Sequence, residues 1–270
     1  MSRGDEGAEV DRLHHALRII GLSSPATDRF GEATQSSVIR YQLEAGLEPD
    51  GIVGPITRFA LIADVVASES AQWYDFRGRV GFISAAEGHV GRPYFPGDLE
   101  AGTGLGSGVT LDPGYDLGRH HFHELEQIYG HLFELEQLGV LSRAIGKRGA
   151  EAAALVELPE FQAITIDADT AARLLPSIAV SYWRMLVAAV RAVALKQTPA
   201  AVQTAMLSLA YNAGVPRAAR VGRYVAAADY RGLAKEIRAL GRGKGRGIEA
   251  RRGLEADLIE QGAGAGGVQI

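Results

Sequence analysis

Hydrophobic residues recur at helical spacing along most of the chain, and the alternating pattern typical of strands is scarce. Val10, Leu13 and Leu17 fall on one face of a first helix. A second helical period runs over residues 32–45, and Pro55 opens a third helix at a favoured first-turn position. Turn clusters separate the three segments. The pattern therefore predicts a compact three-helix module at the start of the chain.

The same periodicity predicts further helices beyond this module. We place them at residues 73–86, 119–138, 141–155, 169–196, 199–211, 217–228, 230–240 and 248–260. Strand signal is confined to residues 92–118. The predicted fold class is mainly α: a three-helix module followed by an α+β domain dominated by helices.

The predicted domain boundaries follow from where these patterns change. They are a module at 4–66, a linker at 67–75, a second domain at 76–260 and a flexible glycine-rich tail at 261–270.

Composition narrows the functional classes. The 270 residues are 47% hydrophobic, carry a formal net charge of −4 and include no cysteine. Disulfides, thiolate chemistry and cysteine-based zinc sites are thus excluded, and no overall attraction to nucleic acid is expected. Charged residues interrupt the apolar stretch 177–210, which favours core helices over a membrane span. The polar N-terminus predicts synthesis in the cytoplasm without a signal peptide.

A spaced set of residues in the first 61 positions carries a resemblance. It comprises Gly4, Gly7, Val10, Leu13, Leu17, Gly21, Leu22, Phe30, Gly31, Thr34, Val38, Tyr41, Gln42, Gly46, Leu47, Asp50, Gly51, Gly54, Pro55, Thr57 and Leu61. This set resembles the three-helix peptidoglycan-binding domain of cell-wall hydrolases. The resemblance implies bacterial peptidoglycan as the partner and makes Arg40, Tyr41 and Asp50 candidate binding residues. A core role for Tyr41 and a simple turn at Asp50 stay open as alternatives.

Candidate catalytic groups lie between residues 82 and 118. Glu87 ends an apolar helical segment, where partial burial and the negative end of the helix dipole both favour a protonated carboxyl. This suits a general acid, although position alone also fits an exposed Glu at a helix end. The loop that follows supplies Thr110, Asp112 and Asp116. Glycoside hydrolysis needs two carboxyl groups in different environments.

A second resemblance covers this stretch. The runs Ser107-Gly-Val-Thr110 and Gly114-Tyr-Asp116-Leu-Gly118, after a helix-terminal Glu, resemble the pesticin-type branch of the phage-lysozyme superfamily. The resemblance implies Glu87 as general acid, with Asp116 and Thr110 positioning and activating a water. It implies cleavage of the β-1,4 bond between N-acetylmuramic acid and N-acetylglucosamine, without a cofactor.

Two points about this loop stay open at the sequence level. A water between substrate and base gives inversion, whereas closely spaced carboxyls give retention. The chain has Leu111-Asp112-Pro113 where that branch has a small pair, so Asp112 is an alternative to Asp116. Asp98, on the loop after Glu87, is another.

The C-terminal part extends this resemblance. Residues 207–214 resemble a Tyr-Asn-x-Gly segment of lysozyme-like enzymes, and residues 247–255 resemble their closing Arg-Arg-x-x-Glu helix. Tyr211 and Asn212 are thereby implied to line the cleft, with a helix C-cap as the alternative. For Arg251, Arg252 and Glu255 we expect structural ion pairs.

Two charged features are less specific. His120, His121, His123 and His131 do not share one helical face, so we predict no metal site. Residues 217–252 carry eleven Arg or Lys against three acids. This basic stretch fits a solvated face or attraction to an anionic cell envelope.

Together these patterns predict a monomeric, two-module peptidoglycan hydrolase. We expect a phage endolysin that reaches the wall after holin release, and an injected antibacterial effector fits the same sequence. The rival functions are a lytic transglycosylase and a non-catalytic wall-binding protein.

Overall fold

The computed structural model of the protein describes residues 1–97, 105–190 and 192–264. The chain is mainly helical, which confirms the predicted fold class. It divides into two compact units. In unit 1, Met1–Ala86 packs with the chain from Ala179 onward, and unit 2 is Glu87–Ile178.

The first part of unit 1 is the predicted three-helix module. Its helices are α1 (Ala8–Ile19), α2 (Glu32–Glu44) and α3 (Pro55–Glu69). The apolar residues that define the periodicity form the module's core, since Val10, Leu13, Leu17, Val38 and Tyr41 are all buried. All three helices predicted from hydrophobic spacing are confirmed. A short 3-10 turn at Ala71–Trp73 follows α3.

Helix α4 (Gly81–Glu87) is joined to the module through a buried carboxylate. Asp64 accepts a hydrogen bond from the Gly81 backbone N–H at 3.0 Å and one from the Tyr41 hydroxyl at 2.9 Å. Burial raises the pKa of Asp64, although the Arg79 charge opposes this effect. The Arg79 guanidinium also pairs with Glu44. These contacts fix the start of α4 against the module.

Unit 2 contains the strands. A hairpin of β1 (Thr110–Leu111) and β2 (Tyr115–Asp116) is followed by α5 (Phe122–Tyr129), α6 (Leu135–Ser142), α7 (Ala150–Val156) and α8 (Pro159–Gln162). Helix α9 (Ala168–Ala189) begins in unit 2, and its residues from Ala179 belong to unit 1. In the antiparallel register Thr110 pairs with Asp116, and Leu111 with Tyr115. Tyr94 adds an isolated bridge to Thr110, with backbone hydrogen bonds of 3.0 and 2.8 Å. The strands therefore lie in the region to which the sequence confined them.

The remaining helices complete unit 1. They are α10 (Ala192–Lys196), α11 (Ala200–Ala213), α12 (Val215–Ala226), α13 (Tyr230–Gly241) and α14 (Arg246–Gly264). Helix α14 packs along both α11 and α13. Across the described residues, no helix combines the length and the apolar character that a bilayer crossing requires.

Four helix predictions differ from the structure. The chain at 143–149 is not helical, so the helix predicted at 141–155 is reduced largely to α7, and the one predicted at 169–196 corresponds to α9 and α10. The other two differences have identifiable reasons. The helix predicted at 73–86 begins only at Gly81, because the backbone N–H groups of Arg77 and Arg79 donate to the side chains of Gln203 and Thr204. The helix predicted at 119–138 is two helices, α5 and α6. Helix α5 ends at Tyr129, and Gly130 caps it by donating its backbone N–H to the Glu126 carbonyl.

Candidate functional site

Glu87 is the last residue of α4 and is half-buried. Gly88 follows with a φ of +71°, a left-handed conformation that glycine adopts at low cost. Because the helix ends there, the chain turns away and leaves the Glu87 carboxyl at the C-terminal end of the helix. The predicted position of Glu87 at a helix end is confirmed, and its role as an acid stays a prediction.

The hairpin places the other two predicted catalytic residues opposite each other. Thr110 and Asp116 form a directly paired position of the antiparallel register, so their side chains project from the same face. The Thr110 residue is only 4% exposed, and its hydroxyl lies 3.5 Å from the Gly108 carbonyl oxygen.

The Asp116 carboxylate is held by three donors. Its Oδ1 atom accepts hydrogen bonds from the backbone N–H groups of Gly108 at 3.0 Å and Gly118 at 2.9 Å. Its Oδ2 atom lies 3.0 Å from Nε of Arg119. The Asp116 side chain is therefore fixed by its own loop and by Arg119.

Asp112, the alternative carboxylate, is engaged differently. It lies in the hairpin turn, is 2% exposed, and directs Oδ2 at the segment that follows Glu87. This oxygen accepts hydrogen bonds from the backbone N–H groups of Val90 at 2.9 Å and Gly91 at 2.6 Å. It also lies 2.9 Å from Nδ1 of His89. Asp112 therefore ties the loop after Glu87 to the hairpin that carries Thr110.

Tyr94 pairs with Thr110 and lies within electrostatic range of these carboxylates. Burial is the main cause that raises the pKa of its hydroxyl, and the negative charges of Glu87, Asp112 and Asp116 raise it further. All three carboxylates thus act on one phenol, which stays protonated and able to donate a hydrogen bond at neutral pH. Sequence reasoning missed Tyr94. Its only signal was its place within the weak strand region.

The arrangement combines the elements that glycosidase chemistry requires. Asp116 is bound by two backbone N–H groups and Arg119, whereas Glu87 is half-buried at the C-terminal end of a helix. Different environments allow one carboxyl to act as acid and the other as base. Thr110 and Tyr94 add hydroxyl groups beside them.

Tyr211 and Asn212 lie at the end of α11 in unit 1. The Tyr211 ring packs on Tyr182 with centroids 4.9 Å apart. Arg252 donates to the Asn212 side-chain oxygen and pairs with Glu255, which is fully buried. The expected structural ion pair at Arg252 is confirmed, and contact of Tyr211 or Asn212 with substrate stays a prediction.

The module's three candidate binding residues have distinct environments. Arg40 is exposed and pairs with Glu44 at 3.0 Å. Tyr41 lies in the core, where its hydroxyl bonds to Asp64. Asp50 is exposed, accepts from the Gln42 side chain at 2.8 Å, and lines a surface pocket. Of the three, Asp50 is best placed to meet a ligand.

The other candidates from the sequence are the loop carboxylate Asp98 and the group of histidines. Asp98 lies outside the described residues. His120 stacks on Tyr115 with ring centroids 4.1 Å apart, and His121 faces His123. Within the described part of the chain, no three potential ligand side chains are grouped to hold a metal ion.

Some basic side chains of the stretch at 217–252 are buried or form ion pairs. Arg251 and Arg252 are buried beside Glu255, and Arg238 pairs with Asp257 and Glu260. Carboxylates within the fold therefore balance the positive charges of these guanidinium groups. The surface charge of this region is correspondingly lower than the residue count suggests.

Comparison with known proteins identifies the module. Residues 6–61 match the sequence model of a family described as a peptidoglycan binding domain. A search of curated proteins found none that matches the chain. The match lies within the three-helix module and leaves both α4 and unit 2 outside it. The chain therefore carries a peptidoglycan-binding domain at its N-terminal end, and this domain supports a cell-wall-associated role.

Proposed function

We propose that the protein is a peptidoglycan hydrolase, an N-acetylmuramidase that cleaves the β-1,4 bond between N-acetylmuramic acid and N-acetylglucosamine. The observation that carries the proposal is a geometric one within one compact unit: the hairpin pairs Thr110 with Asp116, and Asp112 binds the segment that follows Glu87. A peptidoglycan-binding domain on the same chain supports the choice of polymer.

In the proposed mechanism, Glu87 protonates the leaving glycosidic oxygen. Asp116 accepts a proton from the attacking water, which Thr110 helps to orient. Each oxygen of a carboxylate has two lone pairs, so Asp116 can accept this proton while keeping its bonds to Gly108 and Arg119. Tyr94 donates a hydrogen bond within the same site. No metal or cofactor takes part in this scheme.

The binding domain keeps the enzyme close to its polymeric substrate. A wall-bound chain meets many equivalent bonds of a repeating polymer, so the effective concentration of substrate rises without new contacts at the reacting bond. We further propose host-cell lysis by a phage as the setting, with the enzyme reaching the wall from the cytoplasm.

Clearing of a suspension of purified cell walls tests the proposal. Wild type should clear the suspension, and Glu87→Gln should reduce the rate by about 10²–10⁴-fold, as expected for loss of a general acid. Glu136→Gln is the matched control, because this exposed Glu lies on α6 and takes no part in the site. Equal clearing by wild type and Glu87→Gln would remove Glu87 from the mechanism. Binding without clearing by wild type would favour the non-catalytic alternative.

A further inference from the structure

A cavity of about 430 Å³ opens on unit 1, and the module forms only part of its wall. One side is built from residues 42–57, which belong to the module. The other side comes from Phe82, Ala85 and Ala86 of α4 and from Leu254 of α14. These four residues lie outside the region that matches the peptidoglycan-binding family.

Phe82 is packed directly against the module. A Cβ atom at Gly46 would lie 2.6 Å from Cε2 of the Phe82 ring, so the ring edge occupies the space that any side chain at position 46 would need. Gly46 also has a φ of +64°, which favours glycine. Phe82 itself is buried. The cavity wall is therefore continuous between the module and α4.

Three large apolar side chains line the same cavity and remain exposed. Ile52 is 46% exposed, Ile56 is 62% exposed and Leu254 is 48% exposed. Single exposed apolar residues are ordinary, whereas a group of them around one concave surface is typical of a binding site. Such a surface suits the C–H face of a pyranose ring and the methyl group of an acetamide.

The polar residues of this cavity select by charge. Glu48 and Asp50 contribute carboxylates, and no basic residue is found among the described residues that line the cavity. Hydrogen bonds from the Ile52 backbone N–H and the Gln42 side chain lower the pKa of Asp50, so it is ionised at neutral pH. Wall-linked peptide stems of peptidoglycan carry more carboxylates than amines, and such a rim repels this excess of negative charge. The N-acetylated glycan strand carries none, and its hydroxyl and amide groups can donate to these oxygens.

We propose that this cavity is a composite glycan-binding site, which takes N-acetylated sugars of the wall through the module together with Phe82 and Leu254. The proposal rests on the peptidoglycan-binding role of residues 6–61 and does not depend on the proposed hydrolysis. It means that the module sequence alone lacks part of its own binding surface.

Co-sedimentation of the full chain with purified sacculi tests this site. All variants carry Glu87→Gln so that turnover does not alter the polymer. Ile56→Ser and Leu254→Ser should each weaken binding roughly tenfold, through loss of about half the burial of one large apolar side chain. Met185→Ser is the matched control, since Met185 is 49% exposed in the same unit and does not line the cavity. Its binding should equal that of the parent.

Melting temperatures should be unchanged in all three variants, because each replaced side chain is about half exposed or more. Wild-type binding by Leu254→Ser would overturn the composite site.

Competition with soluble fragments of the wall identifies the ligand that occupies the cavity. A soluble tetramer of N-acetylglucosamine should release the bound protein, whereas a synthetic stem pentapeptide should not. Release by the pentapeptide alone would overturn the assignment to glycan. Since these measurements record binding without turnover, a failure of the proposed hydrolysis would leave them unaffected.

Discussion

Replacing Asp112 by Ala tests how the candidate catalytic loop is held in place. The substitution removes one carboxylate that accepts from Val90 at 2.9 Å and Gly91 at 2.6 Å and that contacts His89 at 2.9 Å. These three residues lie two to four positions after Glu87 in the chain. The loop would lose these attachments to the hairpin and keep the backbone bridge from Tyr94 to Thr110, while Glu87, Thr110 and Asp116 keep their side chains.

The expected size follows from the hydrogen bonds that are lost. A hydrogen bond to a charged group contributes about 1.5–3 kcal/mol. Val90 is exposed and Gly91 half-buried, so water replaces part of each bond and the lower end applies. Two such bonds predict a loss of about 3 kcal/mol in the free energy of unfolding. Asp112→Asn keeps an acceptor oxygen without the charge, and we expect about half this loss.

Activity should fall more than stability alone explains. A displacement of about 1 Å in a catalytic group can cost roughly 100-fold in rate. For Asp112→Ala we therefore expect the maximal rate on dye-labelled sacculi to fall at least tenfold. Binding to the sacculi should change little. Urea denaturation gives the stability, and initial rates at saturating wall concentration give the activity.

The control is Asp75→Ala, which removes a similar set of contacts in unit 1. Asp75 accepts from Nε1 of Trp183 at 2.8 Å and pairs with Lys196 at 2.6 Å. Its loss should lower stability comparably and leave the rate of the remaining folded protein unchanged. If Asp112→Ala lost stability but kept the wild-type rate, the positioning role would be refuted.

Two further substitutions test packing and charge. Gly108→Ala would place a Cβ against the Asp116 carboxylate. Because overpacking costs about 1–3 kcal/mol, urea denaturation should show a loss of that size in the free energy of unfolding. A fully stable variant would contradict the observed packing. For Asp75, burial acts to raise the pKa, but hydrogen bonds from Lys196 and Trp183 outweigh it and lower the pKa. The stability advantage of wild type over Asp75→Asn should thus be complete at pH 7 and lost as the pH falls below about 4, and a pH-independent difference would contradict this.

The sequence was most informative where local spacing decides the structure. Helices α1, α2 and α3 followed from hydrophobic periodicity because each buries one regular face in the module core. The start of α4 did not follow, since the backbone N–H groups of Arg77 and Arg79 are taken by side chains of α11, more than a hundred residues away. Periodicity contains no information about such a partner.

In the candidate site, too, features set by neighbouring residues could be predicted and features set by distant contacts could not. The helix-end position of Glu87 and the loop with Thr110 could be predicted from their immediate neighbours. The different roles of Asp112 and Asp116 could not, because both are Asp residues of one glycine-containing loop. Their roles depend on which backbone N–H groups point at each carboxylate: those of Gly108 and Gly118 for Asp116, and those of the loop after Glu87 for Asp112.

Mass spectrometry of the fragments released from purified peptidoglycan tests the central proposal most directly. Wild type is expected to release disaccharide-peptides with a reducing N-acetylmuramic acid end, which has gained the elements of water, and Glu87→Gln is expected to release almost none. An anhydro-muramic end would instead show a transglycosylase reaction. Fragments cut only within the peptide stems, or equal release by Glu87→Gln, would contradict a muramidase that acts through Glu87.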